Sequence, residues 1–176
     1  LLLVVCFGLG AATAVLVGKA IGEGQKHQDV LELSQVLLRF STLIGAGIAV
    51  LSLLLIPTLF VPVLFPMFKL YGESIAIATA LAVTAFAGIP LHAYAISAVT
   101  GVLRAGGDVT YATVLDLLPQ WVICLPVTAL CALVLKSGYW SIAIAIQLEC
   151  IVKVPFCIRR VRGGTWIHDV TRGQRT

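Results

Sequence analysis

Charged side chains are scarce in this sequence of 176 residues. Only 11% of the residues are charged, and 60% are hydrophobic. A soluble domain carries about 25% charged residues. A chain of this composition cannot cover a water-facing surface with polar groups, which excludes an ordinary soluble domain. The composition instead predicts a protein that lies in a lipid bilayer.

Paired cysteines and clustered metal ligands are also missing. No CxxC pair and no HExxH motif occurs, and the sequence shows no recognisable motif of a nucleophile with its base. Cysteines within apolar runs are typical of small buried hydrophobic residues, so neither a disulfide framework nor a zinc site is supported. We therefore expect no enzyme, no resident metal and no cofactor. The five cysteines are Cys6, Cys124, Cys131, Cys150 and Cys157.

The first residues lack a methionine, a basic leader and a small-residue cleavage site. The chain opens with Leu1 directly inside an apolar run. This pattern is not that of a signal peptide. We expect a fragment that lacks an N-terminal part of its parent protein.

Long apolar runs occur five times, and each is long enough for a spanning helix, which needs about 20 apolar residues. Strands of a membrane barrel would show about 10 residues of alternating polarity, and runs of this length without alternation exclude them. The sequence predicts an all-α integral membrane fold in residues 1–158 and a basic tail in 159–176. The expected spans are about residues 1–20, 36–61, 75–103, 113–135 and 140–158.

The basic residues predict an orientation. If the tail lies inside, only Lys69 and Lys136 face outwards. Cytoplasmic segments are enriched in Lys and Arg, so we expect a multi-pass plasma-membrane protein with a cytoplasmic C terminus. No basic patch is interleaved with stacking aromatics, so no nucleic-acid partner is expected. The inside residues would be Lys19, Lys26, Arg39, Arg104, Lys153, Arg159, Arg160, Arg162, Arg172 and Arg175.

The segment GVLRAGGDVTYATVLD gathers charge between the third and fourth runs. It lacks the GxxxxGK[ST] spacing of a phosphate-binding loop, and no nucleophile lies nearby. We expect Gly106 and Gly107 to end the third helix with positive φ. We expect Asp108 to cap the start of the next helix, with Thr110 as the alternative cap. Arg104 lies in the last turn of the third helix, where a cation interacts favourably with the helix dipole.

The segment also carries a resemblance. LRAGGDVTY…LDLLPQWVICLP is similar to a recurring pattern of bacterial multidrug and toxin extrusion (MATE) transporters. AATAVLVGKAIGEG at Ala11–Gly24 resembles the helix end and turn that close the second helix of each MATE half. The ending ECIVK…RRVRGGTW resembles the last helix and basic tail of the family. Together these motifs cover nearly the whole chain in the family's order.

The resemblance implies helices eight to twelve of a twelve-helix transporter, which belong to its second lobe. It also implies a secondary active antiporter that exports amphipathic organic cations or other drugs in exchange for protons or sodium. Related lipid-flippase families share the fold, so a flippase for lipid-linked saccharides is the alternative. A membrane structural subunit without transport is another. Some MATE branches use an aspartate in the third span of this set, and residues 75–103 contain no carboxylate.

Ionisable side chains at membrane depth indicate function. His92 shares a helix face with Thr84 and Gly88, and Pro90 frees a backbone carbonyl nearby. An imidazole exchanges protons near neutral pH. The alternative is a neutral, hydrogen-bonded histidine in the bundle core.

The fourth and fifth runs supply further candidates. Asp116 and Gln120 form a polar stripe with Cys124 and could line the entrance of a cavity for a cation. The alternative for Asp116 is a carboxylate in interfacial water. Glu149 precedes Lys153 by four residues, the favourable order for a helical ion pair, which competes with a role for Glu149 in an ion pathway.

Overall fold

Five long helices make up the part of the chain that the structure describes. The computed structural model describes residues 2–134 and 138–167, and regular structure within these ranges is entirely helical. Each helix is long and apolar enough to cross a membrane, which confirms the five long apolar helices expected from the sequence. Lys136, Arg172 and Arg175, used in the charge count, lie outside the described residues. The helices are α1 Leu2–Gly22, α2 His27–Met67, α3 Glu73–Leu103, α4 Val109–Leu133 and α5 Tyr139–Gly163.

Helix α2 is longer at both ends than the expected span. Its first turns carry Asp29 and Glu32, which are too polar to count as part of an apolar run. At its other end the sequence predicts a stop at the prolines, but the chain stays helical to Met67. It does so by widening to π-helical bonding over Ile56–Leu64, where Pro57 and Pro62 lie. In a π-helical turn the hydrogen bonds join residues five apart rather than four apart. The α-helical bond between residues four apart, which a proline would break, is therefore already absent in this segment.

Helix α3 lies at the centre of the bundle and contacts α1, α2 and α5. Its packing on α2 is close at Gly45, where an added Cβ would lie 2.7 Å from the Cβ of Ala93 and 3.2 Å from the Cα of Pro90. Glycine at this position lets the two backbones approach, as small residues do between membrane helices. Large apolar side chains face outwards over much of the bundle, including Val15, Leu43 and Leu133.

The bend between α3 and α4 uses its two glycines for different reasons. Gly107 has a φ of 90°, the left-handed conformation expected of a helix-ending glycine. Gly106 is buried, and a Cβ there would collide with the ring of Trp166. Asp108 occupies the N-cap position of α4, but its side chain makes no capping hydrogen bond. Its carboxylate instead accepts a hydrogen bond of 2.7 Å from Nε of Arg160 on α5.

The segment after α5 returns to this bend. Gly164 ends α5 in the left-handed conformation with a φ of 67°. Trp166 is then fully buried, and its indole N–H donates to the carbonyl of Val161 at 3.0 Å. The sequence predicts this tryptophan at a membrane interface with Trp121 and Trp140. Those two are exposed, whereas Trp166 belongs to the main core cluster.

Candidate functional site

A cavity of about 270 Å³ opens between α1, α3, α4 and α5. It brings together three of the four residues expected in a substrate or ion pathway, namely His92, Asp116 and Glu149, and adds Lys153. These side chains come from three different helices. The rest of the lining is mostly apolar, with Leu3, Phe7, Ala95, Ile96, Val99, Thr100 and Cys150.

Lys153 links the two carboxylates of the cavity. Its ammonium lies 2.6 Å from Oε1 of Glu149 and 3.1 Å from Oδ1 of Asp116. Its side chain is 8% exposed, while the carboxylates are 23% and 33% exposed, respectively. A buried ammonium is stable only when paired and hydrogen-bonded, so the two carboxylates supply what water would otherwise provide.

Arg104 completes the charge cluster at its exposed edge. Its guanidinium donates to Oδ2 of Asp116 at 3.0 Å. This contact arises because the bend turns the end of α3 back against the start of α4. Asp116 therefore holds one cation on each oxygen, rather than lying unpaired in interfacial water. The pairing of Glu149 with Lys153 is the ion pair that their spacing of four residues predicts.

His92 is hydrogen-bonded on both ring nitrogens. Nε2 lies 3.1 Å from Oε1 of Gln147, and Nδ1 lies 2.8 Å from Sγ of Cys150. The side-chain amide of Gln147 is oriented by its own donor, which gives a hydrogen bond of 2.7 Å to the carbonyl of Thr84. Because Oε1 must then accept, neutral His92 carries its proton on Nε2 and accepts the thiol proton of Cys150 on Nδ1.

Gly88 provides the space for this arrangement. A Cβ at Gly88 would lie 2.8 Å from Nε2 of Gln147, so a larger residue would displace the amide. Thr84, Gly88 and His92 thus share one face of α3, as their spacing indicates, and that face receives α5. The acceptor for Gln147 is the carbonyl of Thr84.

Sequence reasoning missed Gln147 and Cys150. Both lie on α5 within the same helical turn, and Cys150 is buried. The available signal was the rarity of an amide side chain inside an otherwise apolar run, together with its spacing of three residues from Cys150, which puts both on one helix face.

Gln120 lies outside the cavity on the exposed surface of α4. The helix changes to π-helical bonding over Pro119–Cys124, so residues four apart no longer lie directly above one another. Cys124 turns towards α5, with its sulfur 3.7 Å from the carbonyl oxygen of Ile146. Asp116, Gln120 and Cys124 therefore do not form the expected polar stripe. Asp116 lines the cavity, Gln120 is exposed, and Cys124 contacts α5.

The charged groups of the cavity balance one another, with Arg104 and Lys153 opposite Asp116 and Glu149. Within residues 2–134 and 138–167, no group of three or more His, Cys, Asp or Glu side chains is placed to hold a metal ion. The two carboxylates of the cavity are instead held by ammonium and guanidinium groups of the chain. An entering cation or proton would compete directly with Lys153 for Asp116 and Glu149.

Comparisons of the chain with known protein families, with curated proteins and with solved structures gave no match.

Proposed function

We propose that this chain is part of the second lobe of a secondary active exporter of the MATE type, embedded in the plasma membrane. It would exchange protons or sodium for amphipathic organic cations. The observation that carries the proposal is the meeting of His92, Asp116, Glu149 and Lys153 at one cavity within an apolar bundle. Ionisable groups at membrane depth mark ion and substrate pathways. The LRAGGD motif and its companions support the family.

Lys153 acts in this proposal as a tethered counter-cation. In the empty site its ammonium pairs with both Asp116 and Glu149, and Arg104 supplies the second positive charge. A substrate cation that enters takes over part of this pairing, and protonation of a carboxylate releases it. Binding of the substrate and of the coupling ion are then mutually exclusive, because both act on the same two carboxylates. Mutually exclusive binding is what an antiporter requires.

The size of the cavity supports only part of a substrate site. Small-molecule pockets enclose about 300–1,000 Å³, and this cavity has about 270 Å³. In a two-lobed exporter the other lobe would enclose the remaining volume. The alternative, a flippase for lipid-linked saccharides, needs excess positive charge for phosphate groups. Here Arg104 and Lys153 are matched by Asp116 and Glu149, which leaves no excess positive charge for a phosphate group and disfavours the flippase.

The test is efflux of a cationic dye by the full-length protein that contains this chain, in a strain deprived of its own drug pumps. We expect dye export and drug tolerance, with loss of both in His92→Ala and in Asp116→Asn. Lys19→Gln removes a charge from an exposed pair with a separation of 3.7 Å and should export normally. Equal amounts of each variant in the membrane must be shown by immunoblotting.

Two results would contradict the proposal. Efflux that survives Asp116→Asn and Glu149→Gln together would remove the cavity from the mechanism. A wild-type protein that moves no cationic dye but does translocate a lipid-linked saccharide in vesicles would replace the exporter with the flippase.

A further inference from the structure

A second polar cavity, of about 120 Å³, lies between α2, α3 and α5 and is separate from the first. Arg39 from α2 and Arg162 from α5 line it, together with Gln35 and Tyr94. Leu38, Ile158 and Val161 form the apolar part of its wall. Two guanidinium groups on different helices therefore border one small space.

These two arginines lack acidic partners in the part of the chain that the structure describes. The ion pairs there use Lys19, Arg104, Lys153 and Arg160 as their cations. On α2, the acidic residue nearest to Arg39 in sequence is Glu32, about 10 Å away along the helix axis at a rise of 1.5 Å per residue. On α5, Glu149 is engaged by Lys153. Among residues 2–134 and 138–167, no carboxylate pairs with the positive charge at this cavity.

The dimensions and donors fit one tetrahedral oxyanion. A water molecule occupies about 30 Å³, so the space equals about four waters, comparable to the four oxygens of a phosphate. Guanidinium groups present paired N–H donors that match phosphate geometry. Gln35 and Tyr94 add an amide and a hydroxyl, both able to donate to a further oxygen.

The cavity lies beside the end of α5 that carries the basic residues. Arg162 is in the last turn of α5. Arg39 lies 12 residues, about 18 Å along the axis, into α2 from its start at His27, and it lines the same space. A Cβ at Gly164 would lie 2.7 Å from the imidazole of His27, which places the two helix ends together. Basic pockets between helices on the cytoplasmic side bind anionic lipid head groups.

We propose that Arg39 and Arg162 form a binding site for a single phosphate group, which Gln35 and Tyr94 complete. The phosphate belongs either to an anionic phospholipid or to a free phosphate ion. This site is distinct from the cavity around Lys153, and the proposal does not depend on transport.

The test compares two charge-matched variants of the full-length protein, purified in a mild detergent. Arg39→Gln with Arg162→Gln removes both charges of the cavity. Lys26→Gln with Arg159→Gln removes two charges from positions that are exposed, as Arg39 and Arg162 are, but that do not line the cavity. Binding of fluorescent phosphatidylglycerol in mixed micelles is measured for each variant and for the wild type, and inorganic phosphate serves as competitor.

We expect the cavity variant to bind phosphatidylglycerol at least about 30-fold more weakly, because it loses the charge-assisted hydrogen bonds of two guanidinium groups to the phosphate. The control variant should bind within about threefold of the wild type. Competition by millimolar inorganic phosphate would identify free phosphate as an occupant, and lack of competition would identify the lipid. Equal weakening in both variants, or no weakening in the cavity variant, would overturn the proposal.

A further variant guards against misfolding. Arg162→Lys keeps the charge but loses the paired donors of guanidinium. We expect it to fold as the wild type and to bind several-fold more weakly. Unchanged binding in a folded Arg162→Lys protein would leave only diffuse attraction and would contradict the assignment. Circular dichroism and size-exclusion chromatography establish that each variant is folded.

Discussion

The ammonium of Lys153 lies between two carboxylates from different helices, 2.6 Å from Glu149 and 3.1 Å from Asp116. The contact with Glu149 is local, since the two residues are four apart on α5. The contact with Asp116 joins α5 to α4 and is the one that the fold creates. Both the packing of these helices and the proposed cation exchange depend on this relationship.

Replacement of Lys153 by Met should destabilise the protein. The change leaves two carboxylates close together without their shared cation. Breaking a fully buried pair costs about 3–5 kcal/mol, and the partial exposure of Asp116 and Glu149 lowers the expected loss to about 2 kcal/mol. This corresponds to a fall of about 4–8 °C in the thermal unfolding midpoint, measured in detergent.

Two further variants make this test specific. Lys19→Met breaks an exposed pair with Glu23. It should lower the free energy of unfolding by less than about 1 kcal/mol, so the midpoint should fall much less than in Lys153→Met. Adding Glu149→Gln and Asp116→Asn to Lys153→Met removes the repulsion and should recover part of the loss. A midpoint that stays at the wild-type value in Lys153→Met would show that the cluster contributes nothing to stability.

Close helix packing at Gly45 leads to the second prediction. Gly45→Ala places a methyl group against Ala93 and the backbone at Pro90, and overpacking of this kind costs about 1–3 kcal/mol. Gly47 is two residues away on the same helix and has open space around it, so Gly47→Ala should be neutral or slightly stabilising. Thermal midpoints of the two variants provide the comparison, and equal midpoints would contradict the packing.

The sequence predicts contacts between residues that are close along the chain better than contacts between residues that are far apart along it. The five long helices follow from apolar run length alone, and the pair of Glu149 and Lys153 follows from a spacing of four residues. The contact of Arg104 with Asp116 depends on the path of the bend. It joins residues 12 apart in sequence, which no helical periodicity encodes.

The errors also have physical causes. Gln120 was expected beside Asp116 on the basis of α-helical spacing, but α4 is π-helical from Pro119 to Cys124, and this changes which residues share a face. Trp166 was expected at an interface because tryptophan favours that zone. It is buried because Gly106 leaves room for its ring, which depends on a contact between residues 60 positions apart.

The ion pair of Asp108 with Arg160 leads to the third prediction. Asp108 is buried, and Arg160 also stacks over the ring of Tyr111 with 4.6 Å to its centroid. Arg160→Gln should cost about 1–3 kcal/mol, because it leaves a buried carboxylate without its cation. The exposed neighbour Arg159 provides the control, and Arg159→Gln should have no measurable effect. Equal unfolding midpoints for the two variants would contradict a stabilising role for the pair.

Membrane topology gives the fourth prediction. In a variant without native cysteines, Lys69→Cys should react with an impermeant maleimide on intact cells. Gly163→Cys, at the opposite end of the bundle, should react only after permeabilisation. Gly163 has open space around it, so the substitution is tolerated. Labelling of Gly163→Cys on intact cells would reverse the orientation expected from the basic residues and would exclude a cytoplasmic C terminus.

The hydrogen-bond chain through Gln147 gives the last prediction, which concerns a single proton. Gln147 donates to the carbonyl of Thr84 and accepts from His92, so wild-type His92 should carry its proton on Nε2. Nitrogen-15 NMR of histidine-labelled protein distinguishes the two tautomers, and His92→Gln assigns the signal by removing it. In Gln147→Leu the Nε2 proton loses its acceptor, at a cost of about 1–3 kcal/mol. The fraction of His92 protonated on Nε2 should therefore fall in Gln147→Leu. Gly88→Ala displaces the same amide without changing its chemistry, and the fraction should fall there too. A proton found on Nδ1 in the wild type would contradict the direction of the chain, because Cys150 would then have to accept rather than donate.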